Sequence, residues 1–84
     1  MGTVKDTEIR TRVLEIITSI APDVDPATID PELDLRDQFD FDSMDRLHLA
    51  AAISEAFRIA IPEQDYPQLS ALQKACEYVA KKLG

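Results

Sequence analysis

Apolar residues recur at helical spacing in three separate segments of this chain. In the first, Asp6 to Ile20, branched apolar residues alternate with charged ones, as in a helix with one buried face. Two further segments, Ser43 to Arg58 and Ala71 to Leu83, show the same spacing. Asp6 or Thr7 is expected to cap the first helix and Ser70 the last. Since alternation with period two is absent, the pattern predicts a small all-α bundle with three main helices.

The long connection between the first two helices, residues 21–42, mixes turn-forming and apolar residues. Its three prolines argue against a continuous helix or strand, and one short turn is expected after Asp25-Pro26. Because a disordered linker has little use for large apolar groups, we expect this loop to be structured and pinned to the core. The expected anchors are Ile29, Leu33, Leu35, Phe39 and Phe41. One short helix is predicted later, over Glu63 to Leu69.

The second predicted helix carries two apolar faces, judged at 100° per residue. Its core stripe consists of Leu49, Ile53, Ala56 and Phe57. On the other side lies a second patch, which consists of Met44, Leu47 and Ala51, with Ser43 at its border. Two explanations stay open, because a surface helix of a small bundle needs one buried face. Either a partner protein docks on the second patch, or the preceding loop folds back and covers it.

Length and composition indicate one small domain spanning residues 1–84, with a modest core. Apolar runs are shorter than the roughly 20 residues of a membrane span, and the N-terminus lacks the apolar stretch of a secretory signal. A cytoplasmic protein is therefore expected. The lone Cys76 is expected to pack as a small hydrophobe. One Cys and one His do not make a metal site, so no metal is expected.

The net charge of −7 is concentrated in the middle of the chain. Residues 23–45 hold nine acids and one base, Arg36, whereas the segments before and after carry net charges of 0 and +1. Nucleic acid is a disfavoured partner, because binding it requires Lys and Arg to neutralise phosphates. A partner with a basic surface is favoured, since opposite fields steer encounter. The alternative is a solvated acidic loop that only keeps the protein in solution.

Residues 39–52, FDFDSMDRLHLAAA, place Ser43 between acids at the start of the second predicted helix. Asp42 is a strong N-cap and Asp45 lies in the first turn, so Ser43 could simply belong to the cap. An activated nucleophile is not expected, because the sole histidine, His48, lies about 140° away around the helix. We therefore expect no catalytic residue. A serine at a helix N-terminus could instead accept a group from another enzyme, and the exposed N–H groups there would favour a phosphate.

These features together resemble an acyl carrier protein of the phosphopantetheine-binding family. Asp42-Ser43-Met44-Asp45 is similar to the family's attachment motif, Asp-Ser-Leu plus an acid, in register with Phe57 and Ile61-Pro62. The resemblance covers nearly the whole chain and implies an acyl-carrier-like bundle that is not an enzyme. It implies that Ser43 carries 4′-phosphopantetheine, transferred from coenzyme A by a separate Mg²⁺-dependent phosphopantetheinyl transferase. The thiol of that arm would hold acyl groups as thioesters.

The resemblance also implies how partners recognise the chain. Met44 would be the apolar group that partner enzymes grip, with Leu47 and Ala51 beside it. Asp42, Asp45 and Glu55 would face basic docking surfaces on synthases and acyl-transferring enzymes of fatty acid, lipid or polyketide-type biosynthesis. A monomer without a membrane span is expected. The alternatives are a carrier of aminoacyl or peptidyl groups, or an unmodified helical interaction module.

This chain departs from the family's pattern around the motif. Asp40 stands where the family has glycine; aspartate tolerates left-handed backbone better than most residues, so the turn can survive. Arg46, His48 and Arg58 make the second helix less acidic than is customary. We therefore expect a specialised carrier with a narrower set of partners.

Overall fold

The computed structural model describes residues 6–84, apart from the side chain of Asp6. Four α-helices form in this range: α1 (Asp6–Ile20), α2 (Leu35–Gln38), α3 (Ser43–Phe57) and α4 (Leu72–Leu83). Two 3₁₀ helices, Pro26–Thr28 and Glu63–Leu69, lie in the connections. Residues 6–84 contain no strand, which confirms the predicted all-α class. Thr7 lies inside α1 and is therefore not its cap, and the side chain of Asp6, the other expected cap, lies outside the described residues.

The three long helices pack around one apolar core. α1 contacts both α3 and α4, and the 3₁₀ helix Glu63–Leu69 contacts the same two helices. Each fully buried aliphatic side chain contributes about 1.5–3 kcal/mol relative to an exposed one. The largest fully buried side chains are Ile9, Val13, Ile17, Leu35, Leu49, Ile53, Leu69, Leu72 and Val79. The helical spacing of apolar residues therefore predicts most of the core.

Two positions of α3 differ from its predicted core stripe. Ala56 is exposed, and Ala50, six residues earlier on α3, is buried instead. On α4, Cys76 is half-buried and packs against the core as a small hydrophobe, and Tyr78 is buried. The Tyr78 hydroxyl donates a hydrogen bond of 2.7 Å to Asp65 Oδ2, which ties α4 to the 3₁₀ helix Glu63–Leu69. Burial and this hydrogen bond raise the pKa of Tyr78 to about 12.

The loop of residues 21–42 is structured, as predicted. Ile29, Leu35 and Phe41 are buried, and the half-buried Phe39 meets the Phe41 ring edge-on with centroids 5.7 Å apart. Leu33 was wrongly expected to be an anchor, because 44% of it is exposed. The predicted turn after Asp25 forms as the 3₁₀ helix Pro26–Thr28, and α2 is a helical turn that the sequence pattern did not predict.

Backbone hydrogen bonds fix this loop to the start of α4. The Leu35 N–H donates to the Ser70 carbonyl at 2.8 Å, and the Gln73 N–H donates to the Pro31 carbonyl at 2.8 Å. Gln38 braces the loop from within, because its side chain exchanges hydrogen bonds of 2.7 and 2.8 Å with the Asp30 backbone. The loop that leads into α3 is therefore fixed both to the core and to the start of α4.

The prediction that Ser70 caps α4 is wrong. Ala71 occupies the capping position and makes no side-chain hydrogen bond there. Ser70 has helical backbone angles and ends the preceding 3₁₀ helix, since its N–H donates to the Pro67 carbonyl. Because Ala71 is the cap, α4 begins at Leu72, one residue later than the expected start at Ala71.

The end of α3 contains an unusual backbone conformation. Arg58 adopts the left-handed region, with φ 56° and ψ 49°, and its N–H donates to the Ser54 carbonyl. Within residues 6–84 it is the one non-glycine residue with positive φ, so no left-handed turn forms at Asp40. A left-handed residue of this kind is more often glycine or asparagine.

Candidate functional site

The start of α3 is closed by two reciprocal hydrogen bonds. Asp42 Oδ1 accepts from the Asp45 N–H at 2.9 Å, and Asp45 Oδ2 accepts from the Asp42 N–H at 3.3 Å. This arrangement is a capping box, in which two backbone donors that the helix leaves unpaired are satisfied by carboxylates. The predicted N-cap at Asp42 is thus confirmed. The Asp45 N–H is occupied by Asp42 and cannot also serve a phosphate.

Ser43 takes no part in this cap. It is the first residue of α3, it is exposed, and its hydroxyl makes no hydrogen bond to any residue that the structure describes. His48 is also exposed and makes no hydrogen bond to Ser43. The Ser43 hydroxyl is therefore accessible and unactivated, which suits a group that is modified by another enzyme rather than one that attacks a substrate.

The second patch beside Ser43 is open on the protein surface. Met44 is 58% exposed and Leu47 is 44% exposed, and Ala51 is exposed as well. Of the two explanations left open by the sequence, a covering loop is excluded, because the loop packs against the core and α4 instead. α3 therefore presents a buried face and an exposed apolar face.

Acidic side chains lie at both ends of the second patch. Asp42 is exposed and Asp45 is half-buried at the start of α3, whereas Glu55 is exposed near its end. At 1.5 Å per residue, Asp42 and Glu55 are separated by about 20 Å along the helix. A partner that contacts both acids must therefore cover most of the length of α3.

A small cavity of about 30 Å³ lies beside Ser43. Six of the residues that line it are Asp34, Arg36, Asp42, Ser43, Arg46 and Ser70. They bring together α2, the first turn of α3 and the residue before α4's cap. Sequence reasoning did not place the two arginines or Ser70 beside Ser43. The one available signal was that Arg36 is the single base among the nine acids of residues 23–45.

Neither a metal site nor a membrane-spanning helix is found in residues 6–84. These residues include no group of three or more His, Cys, Asp or Glu side chains arranged to hold a metal ion. None of the helices described here has the length and apolar character needed to span a membrane.

Comparisons with known proteins agree on one family. A family model described as a phosphopantetheine attachment site matches residues 11–79. The chain is 32% identical over 77 residues to an acyl carrier protein of Chlorobium luteolum, and the match covers 92% of this chain and 97% of that one. It is 29% identical over 75 residues to an acyl carrier protein of Rubrobacter xylanophilus, with coverage of 86% and 93%.

A mitochondrial acyl carrier protein of Neurospora crassa is 30% identical over 78 residues. That match covers 93% of this chain but 58% of the Neurospora protein, so the chain spans little more than half of this longer relative. The chain belongs to the acyl carrier proteins with a phosphopantetheine attachment site, and its cofactor is a covalently attached 4′-phosphopantetheine.

Proposed function

We propose that residues 1–84 act as a single carrier domain that bears its 4′-phosphopantetheine on Ser43 and delivers acyl intermediates to partner enzymes. The observation that carries this proposal is the exposed Ser43 hydroxyl without a hydrogen bond to any described residue. Because Asp42 and Asp45 already cap α3, the loss of that hydroxyl to a phosphodiester leaves the helix start intact.

The residues of this chain hold and orient the arm, and they do not react with the acyl group themselves. The attached arm supplies a terminal thiol, on which acyl groups are held as thioesters. Ser43 fixes one end of the arm to the rigid first turn of α3, whose direction is set by the capping box. The protein is therefore a carrier, and reactions on the acyl group belong to its partners.

Partner enzymes are proposed to dock on α3 around Ser43. The second patch of Met44, Leu47 and Ala51 offers the apolar contact, and Asp42, Asp45 and Glu55 offer charges to a basic surface. Buried apolar anchors surrounded by complementary charge are the common pattern of such interfaces. The phosphopantetheinyl transferase and the synthases or acyl-transferring enzymes would use the same surface in turn.

The charge of α3 supports a specialised carrier rather than a general one. Residues 42–58 contain three acids and two arginines, a net charge of −1 with His48 neutral. Since like charges across an interface disfavour binding, a partner for this chain must tolerate Arg46 and Arg58. We propose a narrow set of partners in fatty acid, lipid or polyketide-type biosynthesis. We also propose a cytoplasmic location, although the Neurospora relative is mitochondrial by its name.

Intact mass measurement tests attachment at Ser43. Incubation with coenzyme A and a phosphopantetheinyl transferase should add about 340 Da, the mass of one arm. The gain should disappear in Ser43→Ala and persist in Ser19→Ala, a matched change of an exposed serine on α1. A gain that survives in Ser43→Ala would overturn the proposal, and no gain in any variant would leave an unmodified interaction module.

The class of cargo is tested on the loaded protein. An acyl-coenzyme A donor with its transferase should give a second mass gain that hydroxylamine removes, as expected for a thioester. Loading from aminoacyl adenylates instead, with no loading from acyl donors, would contradict the acyl cargo.

A further inference from the structure

We propose that Arg36 and Arg46 bind the phosphate that joins the arm to the protein, an inference that rests on Ser43 being the attachment residue. Both arginines line the small cavity that Ser43 borders. They come from different elements, α2 and α3, and so approach the cavity from separate directions. The cavity shares no residue with the second patch of Met44, Leu47 and Ala51, so the apolar part of the docking surface stays free.

Arg46 is the stronger of the two indications. It lies three residues after Ser43 on α3, where side chains at this spacing are neighbours on the helix surface. Its side chain is half-buried, yet its guanidinium makes no hydrogen bond or ion pair with any residue in 6–84. Arginine is rarely withdrawn from water without a partner, so Arg46 has unused donors directly beside the attachment point.

Arg36 is partnered only weakly. Its Nε lies 3.7 Å from Asp34 Oδ1, and the side chains are 64% and 32% exposed. An exposed pair at this distance contributes little, and the terminal guanidinium nitrogens have no partner among the described residues. The flat guanidinium fork can donate two parallel hydrogen bonds to a phosphate.

The carboxylates around Ser43 would repel the phosphate, and the two arginines would offset this repulsion. Asp34 and Asp42 line the cavity and Asp45 lies in the first turn of α3, so a phosphodiester at Ser43 places another negative charge among three carboxylates. The Asp45 N–H is already used by Asp42, which reduces what the helix end can offer the phosphate. Arg36 and Arg46 supply two positive charges where the repulsion would arise.

Ser70 completes the cavity with a neutral donor. Its hydroxyl makes no hydrogen bond to the described residues, although the sequence suggested that it would cap α4. Its backbone carbonyl is fixed by the Leu35 N–H at 2.8 Å, so this side of the cavity is held in place.

The side-chain Nε–H signals of the arginines test the proposal in the full protein by ¹H–¹⁵N NMR. Loading of the arm, verified as complete by intact mass, should move the signals of Arg36 and Arg46. The signals of Arg12 and Arg58, which do not line the cavity, should stay in place. The ³¹P resonance of the loaded protein should shift in Arg36→Gln and in Arg46→Gln, and stay unchanged in Arg12→Gln.

Each null result has a distinct meaning. Unmoved Arg36 and Arg46 signals in fully loaded protein, or a ³¹P resonance that is the same in all three variants, would overturn the phosphate site and leave attachment at Ser43 standing. An absence of any mass gain in the wild-type protein would overturn the proposed function and this inference together.

Discussion

Replacing Asp42 with alanine should destabilise the protein, whereas the same replacement of its neighbour Ser43 should not. Asp42→Ala removes the hydrogen bond of 2.9 Å to the Asp45 N–H and breaks the reciprocal box. The loss of an N-cap costs about 1 kcal/mol, within a range of 0.5–2 kcal/mol. For a domain of this size, that lowers Tm by about 4–8 °C. Ser43→Ala removes an exposed hydroxyl without a hydrogen bond to the described residues and should change stability by less than about 0.5 kcal/mol.

Urea unfolding of the unmodified protein, followed by circular dichroism at a helix wavelength, measures both changes. Asp42→Asn should stay close to the wild type, because asparagine caps almost as well as aspartate. Asp40→Ala controls for the loss of one exposed negative charge nearby and should have little effect. If Ser43→Ala destabilised the protein as much as Asp42→Ala, Ser43 would be part of the cap and the reasoning would be refuted.

Three further changes test other parts of the structure. Arg58→Gly should raise the free energy of unfolding by about 0.5–1 kcal/mol in urea titrations, because glycine accepts the left-handed conformation without strain. The pKa of Tyr78 is raised from 10.0 in the unfolded chain to about 12 in the folded protein. Its contribution to the free energy of unfolding should therefore be fully present below pH 10 and decrease as the pH rises to 12. In Tyr78→Phe, this part of the decrease, followed by urea unfolding at each pH, should be absent. Met44→Ala should weaken transferase binding about tenfold by calorimetry, whereas Gln64→Ala, exposed outside the second patch, should not.

Helical periodicity predicts the fold of this chain well because the buried positions follow it closely. Ile9, Val13 and Ile17 on α1 are all fully buried, as their spacing indicates. Two positions depart from the prediction for different reasons. Ser70 has the side chain of a cap, but its N–H donates to the Pro67 carbonyl, so it ends the preceding 3₁₀ helix instead. Arg58 adopts a left-handed conformation, although the residue usually found in that conformation at a helix end is glycine or asparagine.

Some features of the candidate site could be predicted from the sequence, and others depend on the path of the loop. The capping box was predictable, because Asp42 and Asp45 are three residues apart at a helix start. The exposure of the second patch was not, because it depends on whether the loop covers Met44, which only its packing against the core and α4 decides. The approach of Arg36 to Ser43 also depends on the loop's path, since α2 was not predicted from the sequence.

Tandem mass spectrometry of the loaded protein tests most directly whether the Ser43 hydroxyl is the attachment point. The protein is incubated with coenzyme A and a phosphopantetheinyl transferase, digested, and the peptide with the added arm is fragmented. We expect the added mass on Ser43 alone, with every other serine and threonine unmodified. An arm found on any other residue, or wild-type protein that never gains an arm under conditions that load an established carrier, would contradict the account.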